Sequence, residues 1–506
     1  MTTTDTEGPH PFSTRTRLII ASIGLLLLLA ALDQTIVSTA LPTIVADLGG
    51  LEQLSWVVTA YILASTVAAP LYGKLGDLYG RRNMVFTSVG LFLLGSVLCG
   101  MSQTMGALIA SRAVQGLGGG GLFVLALSVV GEVVPPRERG RIQGVFAAAF
   151  SVASVVGPLI GGWFTEAFSW HWIFYFNIPV GALAVAIFAA SFQPTGKRAK
   201  RSVDWAGAAA LSVALAAITL VSALGGTTYP WGSAEMLGLI ALSFAATGAF
   251  IAIELRAEEP IIPMGLFRDN TFTVTSLLGF ITGAAMLGAV TFLPVWLQLA
   301  KGVSPMTSGL LLIPLTVGIL TTAMLAGRRM GRTGRYKWLP VIGLTLVTLG
   351  LLTLTTLSAE TSLVLFSLMI ALVGLGLGCV FPVVTTAVQN AVPFEQLGTA
   401  TAAGVMFRQI GGSVAVAVFG TLFASGLTRL LAGVPGAEAF AGPGGLELGP
   451  QTLSRLPEAA REPLAQAVSQ ATQPIFWIAA AVAALGILVA LRLDDLPLKG
   501  RGPAAD

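Results

Sequence analysis

Fourteen long apolar stretches constrain the fold of this 506-residue chain more than any other feature. Each has about 18–25 mostly apolar residues, enough for a helix to cross about 30 Å of hydrocarbon. Charged residues make up only 10% of the chain, whereas soluble domains carry about 25%. The sequence therefore predicts an all-α polytopic membrane protein with the lipid bilayer around it. The predicted spans are 17–41, 54–72, 84–102, 106–130, 142–166, 171–192, 205–225, 235–255, 271–297, 305–326, 338–358, 361–384, 398–425 and 473–493.

The distribution of Lys and Arg predicts the orientation of these helices. If the amino terminus is cytoplasmic, 22 of the 28 basic residues lie in inner segments and only four lie in outer segments. Positively charged loops remain on the cytoplasmic side of a membrane. Both termini are therefore predicted to be cytoplasmic, in a multi-pass protein of the cell (inner) membrane. The net charge of +4 follows from these loops and does not indicate a nucleic-acid partner.

A repeated loop indicates how the helices are grouped. The segment GKLGDLYGRRN (73–83) follows the second stretch, and GRRMGRTGRYK (327–337) follows the tenth. Equivalent residues are Gly73 with Gly327, Gly80 with Gly334, and Arg81 with Arg335. A parallel repeat of two six-helix halves would place the second loop after helix 8, so two helices must be inserted between the halves. The predicted organisation is a tail at 1–16, a six-helix bundle at 17–193, a basic linker with two inserted helices at 194–268, five helices of a second bundle at 269–425, an extracytoplasmic loop at 426–472, and the last helix with a tail at 473–506.

Seven motifs occur in an order that resembles a known family. They are LDQTIVSTALPTI (32–44), GKLGDLYGRRN, RAVQGLGGGG (112–121), SVVGPLIGG (154–162), WHWIFYFNIPVG (170–181), FLPVWLQ (292–298) and FRQIGGSVAVAVFG (407–420). Together they resemble the fourteen-helix drug:proton antiporters of the major facilitator superfamily. His171 departs from the pattern, which usually has Arg between the two tryptophans. The resemblance implies the major facilitator fold and a transporter, not an enzyme, that uses a proton gradient and no cofactor.

Asp33 lies deep in the first apolar stretch, where a charged side chain costs about 2.5–3.5 kcal/mol. Helical rise counted from Arg17 and from Met105 places Asp33 and Arg112 at similar depths. One interpretation is a permanent ion pair that fixes packing. The other is a proton-coupling site, because burial favours the neutral acid and a nearby arginine favours the carboxylate. We expect the second, as the resemblance also implies, with protonation of Asp33 competing against cargo binding.

Other polar and flexible residues extend the predicted site. The substrate-pathway candidates are Gln34, Tyr61, Gln115, Asn177, Met286, Gln298, Arg408 and Gln409. Arg408 is equally compatible with a structural role, and helix–helix hydrogen bonds are the alternative for Asn177 and Gln298. A hinge or seal is predicted at Gly157, Pro158, Gly161 and Gly162, with close packing as the alternative. A cytoplasmic latch for the outward-facing state is predicted at Gly73, Asp77, Gly80, Arg81, Arg82 and Glu132, with a solvated charge cluster as the alternative.

The predicted function is proton-coupled export of lipophilic or drug-like small molecules. The alternative is a dedicated exporter of one metabolite or lipid class in the same fold. Because Asp33 is the one acid deep in a span, we expect neutral, zwitterionic or monocationic cargo rather than divalent cations. The two cysteines and two histidines lack metal-ligand spacing, so no metal site is predicted. We expect a monomer whose partners are the small lipophilic substrate, protons and the bilayer.

Overall fold

The computed structural model describes residues 12–49, 53–193, 202–226, 228–431, 441–442, 445–446 and 458–498. Within these ranges the chain is almost entirely helical. The helices are α1 (Thr14–Leu48), α2 (Leu54–Tyr79), α3 (Arg81–Gly100), α4 (Met105–Val133), α5 (Pro136–Ala167), α6 (Trp172–Tyr175), α7 (Asn177–Ser191), α8 (Trp205–Leu224), α9 (Ala234–Glu254), α10 (Asn270–Lys301), α11 (Pro305–Leu310), α12 (Ile313–Thr333), α13 (Trp338–Leu354), α14 (Leu363–Ala391), α15 (Leu397–Leu431) and α16 (Glu458–Leu491). Short 3-10 turns occupy Met264–Arg268 and Phe394–Gln396, and the strands β1 (Ala441–Gly442) and β2 (Gly445–Leu446) pair antiparallel.

Twelve helical segments of the described ranges are long and apolar enough to cross a membrane, so the chain is a multi-pass membrane protein. Two of the fourteen predicted spans, 142–166 and 338–358, are not among the twelve. They fall on α5, which has 32 residues, and on α13, which has 17. At about 1.5 Å per residue, α13 is slightly shorter than a hydrocarbon core of about 30 Å. The count of fourteen therefore stays a prediction.

Local chemistry determines where these helices begin and end. Side-chain oxygens cap the amino termini of seven helices by accepting a backbone N–H, which satisfies a donor that the helix itself leaves unpaired. These caps are Ser13, Thr104, Asp204, Ser233, Asp269, Ser304 and Ser362. At the other end, Gly80 follows α2 with φ 90° and Gly334 follows α12 with φ 67°. Both values favour glycine, so the two repeated loops share the same turn requirement.

Equivalent packing partners occur in two groups of helices. In the first group (α1–α7), α1 packs on α5 and α7, while α4 packs on α2 and α3. In the second group (α10–α16), α10 packs on α15 and α16, while α14 packs on α12 and α13. Each group buries apolar clusters of its own, and a further cluster of the first group also includes Ala402 and Val405 of α15. Helices α8 and α9 pack on each other, and α8 also contacts α2 and α15.

The two groups meet closely at one end of the bundle. This end, called here the latch face, carries the loops that join α2 to α3, α4 to α5, α12 to α13 and α14 to α15. At the α2–α15 crossing, a Cβ added to Gly73 would lie 2.8 Å from the carbonyl oxygen of Gly398. At the α5–α12 crossing, a Cβ added to Gly327 would lie 2.5 Å from the carbonyl carbon of Gly140. Glycine therefore permits two equivalent close helix crossings at this face.

The last two helices extend into the predicted loop at 426–472. Helix α15 continues to Leu431, and α16 begins at Glu458 rather than at residue 473. The added first part of α16 is helical because Leu464, Val468 and Ala471 bury against the apolar core of the second group. Residues 426–431 and 458–472 of the predicted loop are therefore helical.

Candidate functional site

Asp33 of α1 forms the centre of a buried polar network. Its side chain is fully buried, and both carboxylate oxygens accept hydrogen bonds. Arg112 Nη1 donates to Oδ2 at 2.7 Å, whereas Gln115 Nε2 and Asn177 Nδ2 donate to Oδ1 at 2.7 and 2.8 Å. A buried charge is tolerated only when it is paired and hydrogen-bonded in this way. The acid thereby connects α1 to α4 and α7.

Arg112 is held by further contacts on its other sides. Its Nε donates to the backbone carbonyl of Val57 at 3.2 Å, and its Nη1 also donates to Gln115 Oε1 at 2.6 Å. The guanidinium lies over the ring of Tyr61, with 4.3 Å between the guanidinium carbon and the ring centroid. A cation over an aromatic face is attracted by the ring quadrupole. Tyr61, predicted as a pathway residue, is therefore a buried neighbour of the ion pair.

Ser96 of α3 is a member of this network that the sequence did not indicate. Its hydroxyl accepts from Gln115 Nε2 at 2.9 Å and from Asn177 Nδ2 at 3.1 Å, and it donates to the carbonyl of Phe92 at 2.9 Å. A lone serine in an apolar helix usually bonds only to its own backbone, so its position carried no signal. Asn177 Oδ1 is buried without a hydrogen-bond partner in the part of the chain that the structure describes.

Glycines of α5 pack against α1 just beyond Asp33. A Cβ on Gly157 would overlap the hydroxyl of Thr35, and one on Gly161 would lie 2.9 Å from the carbonyl oxygen of Ile36. These two glycines therefore allow α5 to touch the helix that carries the acid. Gly162 has no atom within 4 Å of an added Cβ, so the alternative of close packing does not hold at that position, and the hinge or seal stays a prediction.

The predicted latch residues join the two groups of helices. Arg81 donates to Asp77 at 3.0 Å and to Glu132 at 2.6 Å. Across the interface, Asp77 accepts the backbone N–H groups of Gly398 and Thr399 at 3.0 and 2.7 Å. These are unpaired donors at the amino terminus of α15, where a carboxylate is favoured by the helix dipole. The carboxylate of Asp77 thus caps a helix of the opposite group.

Several predicted residues lie outside both networks. Arg82 donates to the carbonyl of Ala189 at 3.1 Å, which ties α3 to α7 within the first group. Gln298 donates to Ser308 at 3.1 Å, so its described bond joins α10 to α11. Met286 packs against the apolar core of the second group. Their roles in a substrate pathway or latch stay predictions.

The four remaining candidates lie in different environments. Gln34 is exposed. Gln409 Oε1 is buried without a hydrogen-bond partner in the described ranges. Pro158 lies inside α5. Arg408 lies between the ring of Phe123 in α4 and a ring in α14, and it lines a pocket formed by α10, α14 and α15.

Comparison with known proteins identifies the family. Residues 23–416 match the model of the Major Facilitator Superfamily. The chain is 39% identical over 405 residues to the multidrug transporter protein MdtP of Bacillus subtilis, covering 80% of this chain and 75% of the relative. It is 33% identical over 473 residues to multidrug resistance protein 3 of Bacillus subtilis, covering 92% of each. The chain therefore belongs to the major facilitator superfamily, a family of transporters rather than enzymes.

The fold comparison agrees with this assignment. The solved structure of the proton:xylose symporter XylE superposes with a TM-score of 0.64 at 14% identity, covering 96% of this chain and 98% of that one. At this identity the likeness concerns the fold alone.

Proposed function

We propose that this transporter is a proton-coupled antiporter that exports lipophilic, drug-like molecules. In this proposal fourteen helices span the cell (inner) membrane, and α8 and α9 are inserted between two six-helix bundles. The latch face and both termini are cytoplasmic, as the distribution of basic residues predicts. The names of the two Bacillus relatives support the cargo class. The observation that carries the proposal is the buried, fully hydrogen-bonded carboxylate of Asp33.

Protonation of Asp33 would require its network to rearrange. Arg112, Gln115 and Asn177 all direct N–H groups at the carboxylate. A protonated acid adds an O–H donor that faces these donors and loses its attraction to the guanidinium. At least one amide must then turn or move away. Because the partners lie on α4 and α7, the charge of one side chain is linked to the packing of three helices.

Contacts of α1 and α5 link this change at Asp33 to the latch face. The turn of α1 after Asp33 packs on Gly157 and Gly161, so a shift of α1 also displaces α5. The other end of α5 crosses α12 at the latch face through Gly140 and Gly327. Closed latch contacts of Asp77 correspond to an outward-facing state. An inward proton movement through about 100 mV releases about 2.3 kcal/mol, which can drive cargo outward.

Inverted membrane vesicles test the proposal. The neutral lipophilic dye N-phenyl-1-naphthylamine is added to vesicles that hold an imposed proton gradient, and proton movement and dye uptake are recorded together. The wild type should lose its gradient on addition of cargo, whereas Asp33→Asn should abolish this response. Asp47→Asn is the matched control, because Asp47 lies on the same helix, is exposed, and accepts a bond from Trp170 that asparagine can also accept. Full proton dependence in Asp33→Asn would refute the proposal.

Competition separates a broad exporter from a dedicated one. Several lipophilic dyes of unrelated structure should inhibit one another at similar concentrations if the cavity recognises apolar bulk. Strong inhibition by one chemical class, with little by the others, would instead support a dedicated metabolite or lipid exporter.

A further inference from the structure

Arg408 is a cation of the membrane interior that has no acidic partner among the residues that the structure describes. Helical rise from Leu397 places it roughly 16 Å into α15, near the middle of the membrane. Its guanidinium lies 5.3 Å from the ring centroid of Phe123 and 5.5 Å from that of Phe381. Among the residues that the structure describes, none forms a hydrogen bond or an ion pair with the Arg408 side chain. Arg112, by contrast, has a carboxylate, an amide and a backbone carbonyl as partners.

The pocket beside Arg408 is apolar apart from its hydroxyls. Its apolar wall includes Phe381, Val384, Val388 and Val405. Threonine hydroxyls in the same pocket already donate to carbonyl groups of their own helices, as Thr282 does to Leu278 at 2.6 Å. The guanidinium is therefore the strongest donor in this pocket that has no acceptor.

Within the described part of the chain, the charges of the membrane interior do not balance without a ligand. Asp33 and Arg112 neutralise each other, so Arg408 contributes an uncompensated positive charge between the two groups of helices. Phe123 belongs to the first group and Phe381 to the second, which places this charge where cargo would pass between the bundles. Arg408 is half-buried, and holding a charge there without a partner is costly, so an anion at this position would reduce that cost.

We propose that Arg408 selects amphipathic monoanions, namely molecules with an apolar body and one carboxylate or sulfonate group. The planar guanidinium donates two parallel bonds to such a group, while the phenylalanine and valine side chains cover the apolar body. This inference rests on the proposed function and narrows its cargo. It also differs from the expectation of neutral, zwitterionic or cationic cargo that Asp33 alone suggests.

Anion selection has an electrical consequence. Export of a monoanion and entry of a proton both move positive charge inward, so an interior-negative membrane potential drives both. Export of a monocation in exchange for one proton moves no net charge. Transport of the anion should therefore respond to an imposed potential at constant pH difference.

Two dyes that differ by one sulfonate test the selection. Binding of 8-anilinonaphthalene-1-sulfonate and of N-phenyl-1-naphthylamine is measured on the purified protein in lipid nanodiscs. Arg408→Gln should weaken binding of the sulfonate dye by about tenfold or more and leave binding of the neutral amine unchanged. Arg408→Lys should retain part of the affinity. Arg429→Gln, which removes an exposed charge from the same helix, is the matched control.

Equal losses of affinity for both dyes, or no loss of affinity for the sulfonate dye, would overturn the inference. Binding needs no proton gradient, so this outcome is independent of whether Asp33 couples transport to protons. If Arg408→Gln does not fold, competition between the sulfonate dye and unlabelled compounds for the wild-type protein tests the inference instead. Naphthalene-1-sulfonate or laurate should displace the sulfonate dye better than 1-naphthylmethylammonium. Stronger displacement by naphthalene-1-sulfonate would indicate aromatic acids as the cargo, and stronger displacement by laurate would indicate lipid acids. Equal displacement by the ammonium compound would overturn the inference.

Discussion

Substitution Asp77→Asn tests whether the latch holds the two bundles together. The carboxylate of Asp77 accepts Gly398 N–H at 3.0 Å and Thr399 N–H at 2.7 Å, one on each oxygen, and pairs with Arg81. Asparagine keeps one acceptor oxygen and directs an NH₂ group at the other donor. The variant should therefore favour an open latch face.

The expected size of the effect follows from the lost interactions. A hydrogen bond to a charged group contributes about 1.5–3 kcal/mol, and a carboxylate at a helix amino terminus adds about 0.3–1 kcal/mol. The side chains of Asp77 and Arg81 are only 3% and 5% exposed, so water screens them little. A loss of about 2–4 kcal/mol should shift the closed-to-open ratio roughly thirtyfold to several hundredfold.

Distances between spin labels measure this shift. Labels at Tyr79→Cys and Trp338→Cys report the latch face, and labels at Met101→Cys and Val364→Cys report the opposite end; all four positions are exposed. Both native cysteines are buried. In Asp77→Asn the latch-face distances should lengthen.

A matched helix cap provides the control. Asp269 also caps a helix with its carboxylate, accepting Phe272 N–H at 2.8 Å, but within one group of helices. Asp269→Asn should leave the latch-face distances unchanged. Unchanged distances in Asp77→Asn, or equal lengthening in both variants, would refute the reasoning.

Two further substitutions test the packing around Asp33. Gly157→Ala should lower the melting temperature, because its Cβ overlaps a hydroxyl of α1 and overpacking costs about 1–3 kcal/mol. In the control Gly162→Ala the new Cβ meets open space, so the melting temperature should not change. Equal melting temperatures for the two variants would count against the helix contact. Ser96→Ala removes the acceptor shared by two amide side chains, so stability should fall by about 1–3 kcal/mol. The comparison in the same thermal melts is Ser102→Ala, just beyond α3, whose hydroxyl donates to the carbonyl of Leu98 and otherwise lies only near the hydroxyl of Ser111, at 3.5 Å. A smaller loss for Ser96 would contradict its role in the network.

The arrangement of the site could be predicted where periodicity and depth suffice. Asp33 and Arg112 lie on different helices, yet counting residues from each end of the membrane placed them at one level. The structure joins them at 2.7 Å. The repeated loop likewise predicted equivalent glycines, and Gly80 and Gly334 both adopt positive φ values. These features depend on helical rise and on backbone conformation, which sequence position determines directly.

Other features depend on how helices rotate against each other. Ser96 faces the acid rather than lipid, Asn177 reaches Asp33, and Gly162 faces open space one position after the tightly packed Gly161. A difference of one position rotates a residue about 100° around a helix. Hydropathy is the same for either rotation, so sequence alone could not assign these contacts. That no acid of the described ranges pairs with Arg408 is likewise a property of the assembled bundle.

Proton release on cargo binding tests the central claim most directly. N-phenyl-1-naphthylamine, a neutral lipophilic dye, is added to the purified protein in weakly buffered solution, and the pH change is recorded with no membrane potential present. If cargo binding and protonation of Asp33 compete, the wild type should release protons on binding the dye, and Asp33→Asn should bind the dye without releasing any. Equal proton release by the wild type and Asp33→Asn would show that another group carries the proton and would contradict the account.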